Sequence, residues 1–350
     1  MLEEIVTPLV KWYRENKRIL PWRDKGNAYY TWVSEIMLQQ TRVEAVKPYF
    51  ERFITELPDV ESLADCPQEK LLKLWEGLGY YNRVRNMQEA AQTVKKEYNG
   101  RLPEDYQALL SLKGIGSYTA GAIASIAYGI NVPAVDGNVL RVISRITESA
   151  EDISRQAVRK KIEQQLQEIM PEECPGDFNQ ALMELGAVVC IPNGKAKCGE
   201  CPVASVCLAY RHDKVDSLPV KAPKKARMLE DRTVFIIQDG ECTAIRKRPE
   251  KGLLAGLYEL PNIQGHLKRE EALLYVEKMG LDPLYIEKLP PAKHIFSHIE
   301  WRMQAYRIKV SSLKKAQDRE LIFADKEQSG KQYAIPSAFG AYAKYIKEET

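Results

Sequence analysis

Residues 112–139 read LKGIGSYTAGAIASIAYGINVPAVDGNV, two breaks of different kinds on either side of one apolar run. Leu112, Lys113, Gly114, Ile115 and Gly116 end one helix and precede another that begins near Tyr118. The two glycines open backbone conformations closed to other residues and let amide groups come close to a ligand. With the following helix N-terminus they form a phosphate-binding turn. Alone the pattern is weak, because glycines commonly end helices. Its weight comes from the second break, Val132 to Val139, in which Asp136 stands where a helix starts and reads first as an N-cap.

Outward from this pair, apolar residues recur at helical spacing from Tyr30 to about Tyr210, as in Val33, Ile36, Met37, Val43, Val46, Phe50 and Phe53. Similar runs at 69–75, 84–98, 104–111, 117–129, 138–146, 156–169 and 178–190 are separated by glycine and proline breaks. The first domain is therefore all-α, expected over 1–212. A basic, proline-containing stretch at 213–230 reads as an exposed linker. Beyond it, strand-like runs at 233–238, 242–248, 256–260 and 303–310, with one helix near 268–279, predict a smaller α+β domain over 231–350.

Composition sets the outer bounds. The chain has 350 residues, 45% hydrophobic and 28% charged, which excludes disordered, collagen-like and coiled-coil classes. No apolar run approaches the roughly 18 residues a membrane helix needs. The charged N-terminus lacks an apolar signal core, so a cytoplasmic protein with no membrane partner is expected; a monomer is expected as well. A formal net charge of +3 does not by itself announce nucleic acid.

Seven cysteines without an export signal argue for metal or free thiols over disulfides. Cys190, Cys198, Cys201 and Cys207 form a compact C-x7-C-x2-C-x5-C loop. Structural zinc competes here with a [4Fe–4S] cluster, and the single tight winding favours the cluster. Either site is closed and structural or redox-sensing rather than catalytic. Lys195 and Lys197 would place two charges on its exposed turn.

Hairpin, helix and Asp-ending turn together resemble the helix-hairpin-helix DNA glycosylase superfamily, and the cysteine loop resembles its iron–sulfur branch. Ser34-Glu35-Ile36-Met37-Leu38-Gln39-Gln40-Thr41, Gly77-Leu78-Gly79-Tyr80-Tyr81-Asn82-Arg83 and Leu20-Pro21-Trp22-Arg23 look like the MutY-type adenine DNA glycosylases. The resemblance covers the whole chain, with one departure: the family usually has six residues between the first two cluster cysteines, and here there are seven. The second domain, through Lys251 to Pro261, resembles the family's Nudix-like domain. Its helix at 269–278 lacks the acidic pair that Mg²⁺ chemistry needs, so no pyrophosphatase is expected.

The resemblance implies excision of adenine from 8-oxoguanine:adenine or guanine:adenine mispairs in double-stranded DNA, and association with the nucleoid. Glu35 would be the acid that protonates adenine; its apolar neighbours would raise its pKa. Asp136, helped by Asn138, would stabilise the positive sugar. Trp22, Arg23 and Gln180 would line the adenine pocket. Gln40 and Tyr80 would fill the gap left by the flipped base, with Leu38 and Thr41 beside them on the DNA. Lys113, Gly114 and Gly116 would contact phosphate, together with Arg83, Arg85 and Arg141. Phe296, Ser297 and His298 would read 8-oxoguanine. Bifunctional relatives carry a lysine where this chain has Tyr118, and a phenol cannot form an imine, so base removal without a proficient lyase step is implied. A glycosylase/lyase and a non-catalytic DNA-binding scaffold are the competing readings; Tyr118 opposes the first, and the presence of Glu35 and Asp136 opposes the second.

Overall fold

The computed structural model describes residues 2–23, 26–223, 226–316 and 320–346. The chain divides into two compact units, 1–66 with 82–223 and 67–81 with 224–350. The second unit is thus discontinuous: residues 67–81, expected within the helical block, pack with the sheet.

Helices are α1 (Val6–Asn16), α2 (Ala28–Leu38), α3 (Val43–Glu56), α4 (Val60–Asp65), α5 (Gln68–Leu74), α6 (Asn82–Glu97), α7 (Tyr106–Ser111), α8 (Ser117–Tyr128), α9 (Gly137–Ile146), α10 (Gln156–Ile169), α11 (Pro175–Val188) and α12 (Leu208–Arg211). All but α5 build the first unit. Among the described residues no helix is long and apolar enough to cross a membrane. Side-chain caps fix several starts: Asn27 accepts from the amides of Tyr29 and Tyr30 on α2, and Asp136 from those of Asn138 and Val139 on α9. Pro175 opens α11, where a missing N–H costs nothing. Gly129 closes α8 at φ 66°, in the left-handed region. α8 packs against α2 and α11, and α11 also against α1 and α9. Val139, Ile143, Phe178 and Leu182 are fully buried in that core. Each such side chain contributes roughly 1.5–3 kcal/mol relative to exposure.

Within the expected linker, Leu218 is buried and the Val220 carbonyl accepts from the Ile153 amide at 3.1 Å. That stretch is therefore pinned to the helical unit at these two points, while most of its residues up to 223 are exposed, as expected of a linker. Lys224 and Lys225 of the linker lie outside the described residues.

The second unit carries β1 (Met228–Asp239), β2 (Cys242–Lys247), β3 (Tyr258–Glu259), β4 (Asn262–Gln264), β5 (Pro283–Ile295), β6 (Ile299–Val310) and β7 (Leu321–Ala324), with α13 (Arg269–Lys278) and α14 (Lys326–Lys331). The sheet order is β3-β2-β1-β6-β5, with β4 beside β1 and β7 beside β2. β1 and β6 run parallel, with Val234 opposite Ala305; the other pairs are antiparallel. Both faces of β1 are buried. Val234 and Ile236 face a core with Trp301 and Phe339, whereas Phe235 and Ile237 face one with Ala272 and Val276 of α13. This two-sided burial is why the run reads as continuously apolar. β1 begins at Met228, inside the stretch expected to be linker.

Candidate active site

A cleft of about 580 Å³ opens in the helical unit, lined by α2, α8, α9, α11 and the segment around Leu20 to Arg23. Eight of the eleven residues of α2 are buried, so the helix has no solvated face to which Glu35 can turn. Glu35 is only 7% exposed and borders the cleft. The phenol of Tyr118, in the first turn of α8, donates to its carboxyl. Burial raises the Glu35 pKa to about 7; the Tyr118 hydrogen bond and the Arg23 charge pull the other way, and the Asp136 charge adds to the rise.

Asp136 holds the N-terminus of α9. Its Oδ1 accepts from the Asn138 amide at 2.9 Å and the Val139 amide at 2.8 Å, and its Oδ2 from the Asn138 side chain at 2.7 Å. Burial pushes this carboxyl above its ordinary value, against the opposing pull of those donors and of Arg141. Two carboxyls of unlike surroundings therefore share one cleft: one protonates near neutrality, and the other is wrapped in donors that favour its ionised form.

The structure brings Trp22, Arg23, Leu38, Gln40, Thr41, Asn138 and Gln180 to the same cleft. Trp22 is buried, edge-on to Phe50 at 5.2 Å between ring centroids. Gln40 sits at φ 61°, an unusual conformation for a residue other than glycine, two residues past the end of α2. Two further residues of the cleft were not legible as site residues. Glu184 of α11, 1% exposed in its side chain, receives Arg18 at 2.6 Å and Arg23 at 2.5 Å. Burial would raise this carboxyl, but the hydrogen bonds and charge of the two arginines bring it down to about 2. A glutamate between Met183 and Leu185 was the available signal, the same apolar embedding that marked Glu35.

Outside the cleft, the turn between α7 and α8 carries Lys113, Gly114 and Gly116. Gly114 needs its identity twice over: φ is 77°, and an added Cβ would lie 2.7 Å from the Asn86 Cβ. Gly116, at φ −97°, is ordinary extended backbone with open space around it, so only one of the pair is conformationally special. It N-caps α8, leaving the first amides of that helix bare toward the turn. The Lys113 side chain is 57% exposed.

Two arginines expected on phosphate are otherwise engaged. Arg141 is buried and donates to the carbonyls of Cys190 at 2.8 Å and Gly186 at 2.7 Å and to Asn138 Oδ1 at 2.9 Å. Arg83 donates to the carbonyls of Ile36 and Gln39, both at 2.6 Å.

Cys190, Cys198, Cys201 and Cys207 line one pocket walled by Val142, Ile146, Leu185 and Val203. Arg145 donates to Cys190 Sγ at 3.2 Å. Burial first, then the neighbouring Cys190 thiol, raises Cys198, and burial pushes Cys201 up to about 12. Among the described residues no set of three or more His, Cys, Asp and Glu side chains is arranged to hold a metal ion. Four sulfurs crowded into an apolar pocket fit a group that supplies positive iron to thiolates. Lys195 and Lys197 are exposed on the loop.

Phe296, Ser297 and His298 form the turn between β5 and β6 in the second unit, closed by the Phe296 amide on the Ile299 carbonyl at 2.8 Å. Phe296 packs on Trp301 at 4.9 Å, while Ser297 and His298 are exposed. Tyr80, in the same unit, stands with them: it is 46% exposed at φ 49°, and Ser297 Oγ lies 3.5 Å from its hydroxyl.

Two family models match the chain: the HhH-GPD superfamily base excision DNA repair protein over residues 33–170, and the NUDIX domain over 233–345. Among curated relatives it is 34% identical to the adenine DNA glycosylase of Mus musculus, aligning 86% of this chain with 69% of that one. It is 35% identical to the adenine DNA glycosylase of Buchnera aphidicola from Acyrthosiphon pisum, with 85% of each chain aligned. Among solved structures, a thermostable thymine-DNA glycosylase matches at TM-score 0.54 and 27% identity, covering 60% of this chain and 97% of that one. A non-covalent endonuclease III–DNA complex matches at TM-score 0.52 and 23% identity, over 61% of this chain and 96% of that one, and so shares the fold.

Proposed function

The chain belongs to the adenine DNA glycosylases, the adenine-specific N-glycosylases of base excision repair, and from that premise we propose that it removes adenine mispaired with 8-oxoguanine or guanine in double-stranded DNA, by hydrolysis without a proficient lyase step. The observation that carries this reading is the buried Glu35, with a pKa of about 7, facing a cleft it shares with Asp136.

In this scheme the flipped adenine enters the cleft beside Trp22, Arg23 and Gln180. Glu35 gives its proton to N7 of the base. The C1′–N9 bond then breaks, its electron pair leaving with the base, and the Asp136 carboxylate stabilises the cationic sugar. Asn138 keeps that carboxylate aimed. Water adds at C1′, and its proton goes to the Glu35 carboxylate, which restores the acid. Tyr118 holds Glu35 and is no imine-forming nucleophile; among the described residues lining the cleft there is no lysine.

Gln40 and Thr41 at the cleft mouth, with Leu38, and Tyr80 in the second unit meet the bases around the extruded one. The turn of Lys113, Gly114 and Gly116 takes a phosphate. Ser297 and His298, backed by Phe296, distinguish the N7–H and O8 edge of 8-oxoguanine from the N7 acceptor of guanine. Cys190, Cys198, Cys201 and Cys207 would hold one [4Fe–4S] cluster. When bound it would supply structural rigidity, and Lys195 and Lys197 would then stand on a stiffened turn between the first two ligands.

Single-turnover cleavage of an 8-oxoguanine:adenine duplex by wild type and Glu35→Gln tests the reading. Alkali-dependent breaks in wild type alone support it, and equal activity in the variant overturns the acid assignment.

A further inference from the structure

The fifteen-residue segment 67–81 leaves the helical unit, packs with the sheet unit, and returns to the helices at Asn82. Its anchor is polar and specific. Lys73 Nζ donates to the carbonyls of Tyr333 at 3.0 Å and Ser329 at 3.3 Å, and pairs with Glu76 at 2.6 Å. Glu76 accepts from the Ile335 amide at 2.8 Å. Glu69 accepts from the Tyr258 hydroxyl at 2.9 Å and from Lys247 at 3.2 Å. The Lys73 and Glu76 side chains are only 17% and 16% exposed, so this is a partly desolvated clamp rather than a surface pair.

The segment ends at Tyr80, beside Ser297. Three residues further on, back in the helical unit, the Arg83 guanidinium donates to the carbonyls of Ile36, Met37 and Gln39. Those carbonyls end α2, the helix that carries Glu35 and is followed by Gln40. One short stretch of backbone thus runs from Tyr80, beside the Ser297 turn, to Arg83 at the end of the helix that carries Glu35.

We infer that segment 67–83 is the mechanical link by which the identity of the base opposite adenine reaches the catalytic acid, with Lys73 and Glu76 as the positioning residues that tie it to the sheet unit. The inference rests on the proposed reading of Ser297 and His298. Its consequence is specific: loosening the clamp uncouples lesion reading from catalysis and leaves catalysis itself in place. Excision opposite 8-oxoguanine then slows toward the rate opposite guanine.

The test is the ratio of single-turnover rates on 8-oxoguanine:adenine and guanine:adenine duplexes, with melting temperature as the check on folding. Lys73→Met should lower the ratio about tenfold while the guanine:adenine rate stays within about twofold, and Lys73→Arg should restore it. An unchanged ratio in folded Lys73→Met overturns the inference, as does an equal fall on both mispairs. If Lys73→Met does not fold, Tyr258→Phe, which removes only the hydroxyl on Glu69, carries the test: a fall of about threefold supports the link and none overturns it. A double Ser297→Ala, His298→Ala variant separates the two claims. If it leaves the ratio intact, the reading of the turn fails; if it lowers the ratio and the clamp variants do not, only the link fails.

Discussion

The phenol of Tyr118 donates to the carboxyl of Glu35, and this single bond sets how far burial can push the acid. The bond favours the ionised carboxylate, whereas desolvation favours the protonated one and dominates, leaving a pKa of about 7. Excision should therefore be fastest below pH 7 and fall as pH rises through that value. Tyr118→Phe removes a stabiliser of the ionised form, so the alkaline limb of its pH–rate profile should move to higher pH. A profile that does not move would detach Tyr118 from the acid.

The same shift has a stability counterpart. Glu35 titrates near 4.3 in an unfolded chain and near 7 in the folded one. Between those values the folded state binds the extra proton, so its stability falls as pH rises through the window. Glu35→Gln should thus be more stable than wild type at pH 8, by up to roughly 3 kcal/mol, with the difference vanishing near pH 4. Denaturant melts at the two pH values check this. The same variant should lose activity by about 10²–10⁴-fold.

Glu184 works in the opposite sense. Its folded pKa of about 2 lies below the unfolded value, so its contribution is present at neutrality and lost as pH falls from about 4 toward 2. Glu184→Gln leaves Arg18 and Arg23 without their shared anion. It should cost roughly 2 kcal/mol, once solvent screening at Arg18 is allowed for. Because Arg23 lines the cleft, KM should rise with it; an unchanged KM would show that Arg23 keeps its place without the pair.

The two hairpin glycines should respond differently. Gly114→Ala forces a Cβ into a left-handed position and against Asn86, and should lower stability by about 2 kcal/mol. Gly116→Ala meets nothing and should cost less than about 1 kcal/mol. If backbone amides there hold a phosphate, however, its DNA affinity should drop without a matching loss of melting temperature.

For the cysteine pocket, the purified protein should be brown, with broad visible absorbance and about four irons per chain. Cys198→Ser should lose colour and iron together. A colourless protein containing zinc would replace the cluster assignment.

What the residues alone disclosed depended on how local the signal was. Runs 117–129 and 156–169 became helices Ser117–Tyr128 and Gln156–Ile169 because their apolar spacing is set by the core they face. β5 escaped notice: Pro290 and Pro291 speak against a strand, and the ladder tolerates them only because its register shifts between Leu289 and Ala292. Glu35, Asp136 and the cysteines stood out through their motifs. Glu184, Arg18 and the inward duty of Arg141 did not, since each depends on a partner dozens of residues away that no spacing rule supplies. Tyr80 was legible as a residue of interest, but its company was not, because the sheet that holds segment 67–81 is encoded after residue 223.

That interruption also imposes an order on synthesis. Residues 81 and 224 are separated by 143 positions, on the order of ten seconds at usual translation rates. Where the excursion departs, both partners of one contact are made early: Gln88 of α6 donates to the Cys66 carbonyl at 2.6 Å. The Ser329 and Tyr333 carbonyls and the Ile335 amide that Lys73 and Glu76 hold are made only after that interval. The strands made last thus complete a clamp whose other half was translated before residue 82.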